Sequence, residues 1–150
     1  MKEKNIVFFV DVILVFLFGL FQSFSLISFL GTKPNFLLSL LIVLLFTVKN
    51  FWQYLILILT ALVSLIYSSL VTKETFVFAL IMLLAFYFKK YLTEHFFLIS
   101  FFLAIILTTL FYLVVDYQFI FNSTNIFLLE LIFNALLTTL FGLLYYKTLK

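Results

Sequence analysis

The chain has 150 residues, of which 67% are hydrophobic and only 10% are charged, and its formal net charge is +3. Water-soluble domains are about 45–50% apolar and about 25% charged, so this composition excludes an ordinary soluble enzyme. The lack of cysteine excludes disulfides and thiolate chemistry, and the single histidine, His95, excludes a multi-histidine metal site within one chain. Nine scattered basic residues, all lysines, are too few for a nucleic-acid interface.

Charged and turn-forming residues divide the chain into apolar runs. A bilayer core about 30 Å thick needs roughly 20 helical residues, and the runs lack the two-residue alternation of barrel strands, so helices are predicted. In chain order the six runs cover residues 6–30, 36–48, 51–71, 75–88, 96–115 and 126–146. The sequence therefore predicts an all-α integral membrane protein with six transmembrane helices, folded as a single domain over residues 1–150.

The second and fourth runs are shorter than a usual membrane span. Each must tilt little, borrow flanking residues or be shielded by neighbouring helices; alternatively, both are re-entrant and the chain crosses four times. The lysines favour six crossings with both termini in the cytoplasm, because seven then lie inside and two outside. The inside set is Lys2, Lys4, Lys49, Lys89, Lys90, Lys147 and Lys150, and the outside set is Lys33 and Lys73.

Aromatic residues near the ends of the runs fit the same orientation, because tryptophan and tyrosine are enriched at membrane interfaces. Those expected near the inner interface are Trp52, Tyr54, Tyr87, Tyr91, Tyr145 and Tyr146, and those near the outer interface are Tyr67, Tyr112 and Tyr117.

Charged side chains within membrane helices are costly, so each is a candidate site. Asp11 lies near the inner end of the first run, where its carboxylate is expected to extend towards Lys2 or Lys4; a partner contact or a buried ion pair is the alternative. Glu130 and Asn134 are four residues apart and therefore share one face of the last helix. Glu130 lies close to the outer end and is expected to reach water.

Asn134 lies nearer the middle of the membrane, where an amide needs a hydrogen-bond partner within the bundle or on another protein's helix. Pairs of small residues four apart favour close helix packing. These pairs are Gly19 with Ser23, Ser64 with Ser68, and Thr138 with Gly142. Lys89 and Lys90 mark a basic inner loop that offers a second candidate surface for a partner.

The segment Lys33-Pro34-Asn35 is predicted to be a structured helix cap. Proline suits the first turn of a helix, and Asn35 or Thr32 can accept hydrogen bonds from free amides there. The sequence contains no glycine-rich phosphate loop, nucleophile elbow or pair of central carboxylates. It therefore predicts no catalytic residue, no cofactor and no metal ligand.

Three stretches share a pattern with one family. A first helix that ends in Gln22-Ser23 is followed by Lys33-Pro34-Asn35 and a leucine-rich run, and Asn134 lies within a leucine-rich last helix that leads to a basic tail. This pattern resembles the MreD family of rod shape-determining proteins. Ser64 stands where that family usually has an aspartate, and Thr138 or Thr139 replaces a common proline, so the chain resembles a divergent member.

The resemblance implies a non-enzymatic scaffold of the cell-wall elongation machinery in the bacterial inner membrane. Such a protein would contribute to rod shape and peptidoglycan synthesis by binding an MreC-type single-pass partner, and through it MreB filaments and a RodA-type glycosyltransferase with its transpeptidase. The resemblance also implies a six-helix fold similar to the substrate-binding subunits of energy-coupling-factor transporters. The candidates for partner binding or helix packing are Asn134, Glu130, Gly142, Gln22, Lys33, Pro34, Asn35, Lys89 and Lys90.

A vitamin-binding transport subunit with the same fold is the alternative function. It would need polar side chains that converge near the outer end of the helices. The residues available for such a set are Gln118, Asn122, Asn125 and Glu130.

Overall fold

The computed structural model describes residues 2–23, 32, 34–66, 72–89 and 96–149. These residues form seven helices: α1 (Lys2–Ser23), α2 (Phe36–Thr47), α3 (Phe51–Ile66), α4 (Lys73–Phe88), α5 (Phe96–Val115), α6 (Tyr117–Asn122) and α7 (Thr124–Leu149). The prediction of an all-helical chain is confirmed for this part of the chain. Each of the six predicted runs contains one of the longer helices, and α6 is an addition between the last two.

The helices differ widely in length. The segments Phe96–Val115 and Thr124–Tyr145 are long and apolar enough to cross a membrane, whereas the apolar part of α1, together with α2 and α3, is shorter. The 12 residues of α2 measure only about 18 Å at a rise of 1.5 Å per residue. By its length alone α2 falls well short of a bilayer core about 30 Å thick.

The short helix α2 lies at the centre of the bundle. All nine side chains from Leu37 to Leu45 are buried, and α1, α3, α4, α5 and α7 pack against them. A helix that is apolar on all sides is expected in such a place, because no face prefers water. Of the explanations for the short second run, shielding by neighbouring helices is the one that the structure supports.

The five neighbours of α2 form a ring around it. Contacts join α1 to α3, α3 to α4, α4 to α5 and α5 to α7. Between α7 and α1 the rings of Phe141 and Phe18 meet edge to face at 5.2 Å, and the Tyr145 hydroxyl donates a hydrogen bond to Asp11.

Below, the end of the bundle at which α1 begins and α2 ends is called the lower end, and the opposite end is called the upper end.

The closest approach of two helices in the ring is between α1 and α3. Gly19 faces Ser64, and a Cβ atom on Gly19 would overlap both the Cβ and the Oγ of that serine. The prediction that Gly19 and Ser64 are packing positions is confirmed. The side chain of Ser23 and the whole of Ser68, the second members of those two pairs, lie outside the described residues.

Two helix starts have polar caps. Thr72 caps α4 in a reciprocal arrangement with Thr75, so that helix begins at Lys73, two residues before the predicted run. Asp116 caps α6, where its carboxylate accepts a hydrogen bond from the Phe119 amide at 3.2 Å. This aspartate is what allows the chain to form a separate short helix between α5 and α7, a turn that the apolar runs did not predict.

The outer faces of the ring are apolar and its interior holds polar side chains. Exposed large residues recur every three or four positions along the helices: Trp52, Ile56, Leu59 and Val63 on α3, Leu98, Phe102, Ile106 and Leu110 on α5, and Leu128, Ile132, Leu136 and Leu140 on α7. The buried polar side chains include Asp11, Ser39, Ser64, Ser100, Thr108, Glu130, Asn134 and Thr138. The interior is otherwise apolar, so the feature that water disfavours is the extent of the exposed apolar faces.

Candidate functional site

The start of α2 is capped by Asn35, which precedes the helix, and by side chains from two other helices. Asn35, the cap residue, accepts a hydrogen bond from the Leu38 amide at 2.9 Å. The Phe36 amide donates to Gln22 Oε1 of α1 at 3.1 Å and to the Pro34 carbonyl at the same distance. The Asn35 amide donates to Asn134 Oδ1 of α7 at 2.7 Å. Amides that the first turn of a helix leaves free are thereby paired inside an apolar bundle.

Asn134 extends this arrangement to one further helix, α5. It is fully buried, and its Nδ2 donates to Thr108 Oγ1 of α5 at 3.1 Å. Its backbone carbonyl accepts from Ser39 Oγ of α2 at 3.1 Å and from Thr138 Oγ1 at 2.7 Å. We call this set the capping cluster, which comprises Gln22, Asn35, Ser39, Thr108, Asn134 and Thr138.

The predicted cap is confirmed, with one correction. Asn35 accepts the amide hydrogen bond, as expected, but Pro34 is buried one residue before the cap and does not lie in the first helical turn. The reason is that Asn35 takes the cap position, which moves the first helical residue to Phe36. Lys33, the remaining member of the motif, lies outside the described residues.

Glu130 forms a second polar contact between α5 and α7. The Tyr112 hydroxyl lies 2.8 Å from each of its carboxylate oxygens, so its proton is shared between them. The Tyr112 ring in turn stacks on Phe119 of α6 at 4.8 Å between ring centres. Glu130 is only 6% exposed, so the expectation that it reaches water is wrong. The hydroxyl of Tyr112 takes the place of that water.

The two contacts between α5 and α7 follow from one spacing. Thr108 and Tyr112 are four residues apart on α5, and Glu130 and Asn134 are four apart on α7. Because four residues are close to one helical turn, antiparallel helices place the two pairs opposite each other. Sequence reasoning found only the α7 pair, although the matching polar pair on α5 was the signal that pointed to its partner.

Asp11, near the lower end, forms the same kind of contact as Glu130, between a buried carboxylate and a tyrosine hydroxyl. It is 4% exposed, and its carboxylate accepts a hydrogen bond from the Tyr145 hydroxyl at 2.8 Å. The expectation that this carboxylate extends towards Lys2 or Lys4 is therefore wrong. Tyr145 lies on α7, so this contact helps to join the last helix to the first.

Two further candidates, Gly142 and Lys89, are packing or capping residues. Gly142 is buried, and a Cβ atom there would lie 3.1 Å from Cε1 of Phe96, so this glycine lets α7 approach the start of α5. Lys89 follows α4 and donates a hydrogen bond from Nζ to the Val48 carbonyl at the end of α2. Lys90, the other half of the predicted basic loop, lies outside the described residues.

Tyr54 departs from its predicted place in the interfacial belt. Its side chain is fully buried, its hydroxyl donates to the Leu41 carbonyl at 3.3 Å, and its ring stacks on Phe86 at 5.3 Å. Trp52 and Tyr87, which were predicted at the same end, are exposed. Tyr54 is buried because it faces α2 and Met82 of α4 rather than the exterior.

The residues proposed for a small-molecule site do not converge. Gln118, Asn122 and Asn125 are exposed on α6 and at the start of α7, whereas Glu130 is buried against Tyr112. Within the described ranges every buried polar side-chain atom has a hydrogen-bond partner, and no group of three or more metal-binding side chains occurs. The buried polar groups of this part of the chain therefore hold helices together.

Comparison of the chain with protein-family models, curated proteins and solved structures finds no match. A functional interpretation must accordingly be built from the contacts described above and from the sequence pattern.

Proposed function

We propose that the chain is a six-span scaffold of the bacterial cytoplasmic membrane, of the MreD type, which contributes to rod shape by binding an MreC-type single-pass protein. The proposal rests chiefly on the capping cluster. Gln22, Pro34-Asn35 and Asn134 carry the resemblance to that family, and they meet at one point of the fold although Asn35 and Asn134 are 99 positions apart. The residues that carry the resemblance thus share one structural role, the capping of the central helix.

The exterior supports placement in a membrane. Removing apolar surface from water contributes about 25 cal/mol per Å², so helices that expose leucine, isoleucine and phenylalanine along their length would be strongly driven out of water. Such apolar faces are stable in contact with lipid. Because the bilayer core contains no water, polar groups inside the protein must hydrogen-bond one another, as those of the capping cluster do. In this arrangement the neighbouring helices shield α2 from lipid. Its length of about 18 Å is then acceptable, because the flanking residues can complete the crossing without being helical.

The proposed orientation puts the lower end in the cytoplasm. The lysine distribution motivates this choice, since Lys49 and Lys89 lie at that end and Lys73 lies at the other. An alkaline phosphatase fused after Lys150 should be inactive, whereas the same enzyme inserted at Asn122, on α6 at the upper end, should be active. Activity after Lys150 together with none at Asn122 would reverse the orientation.

The scaffold role predicts retention of a specific partner. Because the buried polar residues bond one another, the partner's transmembrane helix must bind on an exposed apolar face or at the basic lower end. A tagged chain should retain an MreC-type protein in mild detergent, and depletion of the chain should make rod-shaped cells round. An unrelated multi-span protein of the same host, tagged and expressed to the same level, serves as control. Rods of normal shape after depletion, with no partner retained, would contradict the scaffold role.

The genes beside the coding sequence offer an independent test. Homologues of mreB and mreC upstream favour the scaffold, whereas a pair of transport ATPases favours the alternative vitamin-binding subunit. The polar residues required by that alternative lie apart in this fold, so we give preference to the scaffold.

A further inference from the structure

Two lysines lie close together at the lower end of the bundle. Lys49 is exposed just after α2, and Lys89 is half-buried just after α4. The ammonium group of Lys89 donates to the Val48 carbonyl, next to Lys49 in the chain, and lies 5.5 Å from the centre of the Phe86 ring. The backbone positions of both lysines are therefore fixed by the ends of α2 and α4.

The electrostatic environment of Lys89 is unfavourable to its charge. Burial lowers the pKa of the Lys89 ammonium, and the positive charge of Lys49 lowers the pKa further. Asp11, the only acidic residue at this end whose side chain is described, is buried and bonded to Tyr145. An anion placed between the two lysines would relieve their repulsion, whereas solvent counter-ions do so only weakly near an apolar surface.

Aromatic residues lie within three positions of each lysine along the chain. Trp52 at the start of α3 is 72% exposed, and Tyr87 at the end of α4 is 70% exposed. Phe51 joins the two helices, with its ring edge to face against Trp52 at 5.8 Å and against Phe86 at 5.5 Å. Exposed tryptophan and tyrosine are typical of the headgroup level of a membrane, where their rings are both apolar and polar.

We propose that Lys49 and Lys89, with Trp52 and Tyr87 beside them, bind the phosphate of an anionic phospholipid in the cytoplasmic leaflet. Basic pockets between membrane helices on this side recognise such headgroups. The neighbouring exposed residues Leu84 and Phe88 offer an apolar surface to the acyl chains, which a free phosphate ion would not use. The inference rests on the membrane insertion proposed above and is independent of the scaffold role.

Trp52 is the only tryptophan of the chain, so its fluorescence reports on this position alone. The full-length protein is reconstituted in phosphatidylcholine vesicles that contain a small fraction of a brominated lipid, either phosphatidylglycerol or phosphatidylcholine. Brominated phosphatidylglycerol should quench Trp52 more strongly at the same mole fraction. Lys49→Gln should weaken this preference about fivefold, the effect typical of one lysine near an anionic surface. Lys73→Gln, at the opposite end, should leave it unchanged.

The possible outcomes separate the two proposals. Equal quenching by both lipids, or an unchanged preference in Lys49→Gln, would overturn the lipid site while leaving membrane insertion intact. Quenching by neither lipid would show that the chain does not insert and would overturn both proposals. A response of Trp52 to inorganic phosphate in a zwitterionic detergent, equal to the response to phosphatidylglycerol, would replace the lipid with a free anion. Lys89→Arg keeps the charge and should retain the preference.

Discussion

Asn134→Leu is expected to destabilise the whole bundle. The substitution keeps roughly the same volume but leaves the buried amide of Asn35 and the hydroxyl of Thr108 without their partner on α7. A buried donor that loses its acceptor costs about 1–3 kcal/mol, and two groups are affected here, so we expect a loss near the upper end of this range. Since α2 is central, the start of that helix should loosen from α1 and α7 together.

The measurement is the free energy of unfolding in detergent micelles, followed by circular dichroism. Asn125→Leu, the same substitution at an exposed position of the same helix, is the matched control and should change stability little. Gln22→Leu should give an intermediate loss, because the Phe36 amide keeps the Pro34 carbonyl as acceptor. If Asn134→Leu proves as stable as the control yet no longer retains the MreC-type partner, Asn134 faces the partner and not the core.

Gly19→Ala is the second substitution expected to have a large effect. The added Cβ would overlap the Cβ of Ser64 as well as its Oγ, and a Cβ cannot rotate away. The backbones of α1 and α3 must therefore move apart along their tightest contact. Overpacking of this kind costs about 1–3 kcal/mol.

Two variants make this prediction specific. Gly142→Ala adds the same methyl group, but its nearest neighbour is the ring edge of Phe96 at 3.1 Å, a flexible side chain that can shift, so a smaller loss is expected. Ser64→Gly in the Gly19→Ala background removes the clashing atoms and should restore much of the lost stability. Failure of this double variant to recover would mean that the clash between α1 and α3 is not the cause.

The sequence was sufficient to predict the six longer helices, but not α6, because each apolar run is bounded by charged or turn-forming residues. The structured cap at Asn35 was also predictable, since asparagine before a leucine-rich run has a well-defined local role. Both predictions depend only on residues that are close to one another in the sequence. They required no knowledge of which helices are neighbours.

The directions in which the helices face were not predictable in the same way. In a water-soluble protein, apolar periodicity marks the inner face of a helix. Here the residues that face outward on α7, such as Leu136, are as apolar as the buried ones, such as Ala135, so periodicity carries little information. Glu130 was accordingly expected to reach water and Asp11 to extend towards Lys2 or Lys4, although each is bonded to a tyrosine on another helix.

The central position of α2 has a consequence for biosynthesis. The acceptor for the Asn35 amide is Asn134, which the ribosome adds 99 residues later. At about 5–20 residues per second, α2 exists for roughly 5–20 s before this acceptor is made. If the chain inserts into a membrane as proposed, the start of the nascent α2 lacks this acceptor during that interval, and the helix should remain beside the translocon or an insertase. Truncated chains that lack α7 never complete this step, and membrane proteases should recognise them by the open end of α2.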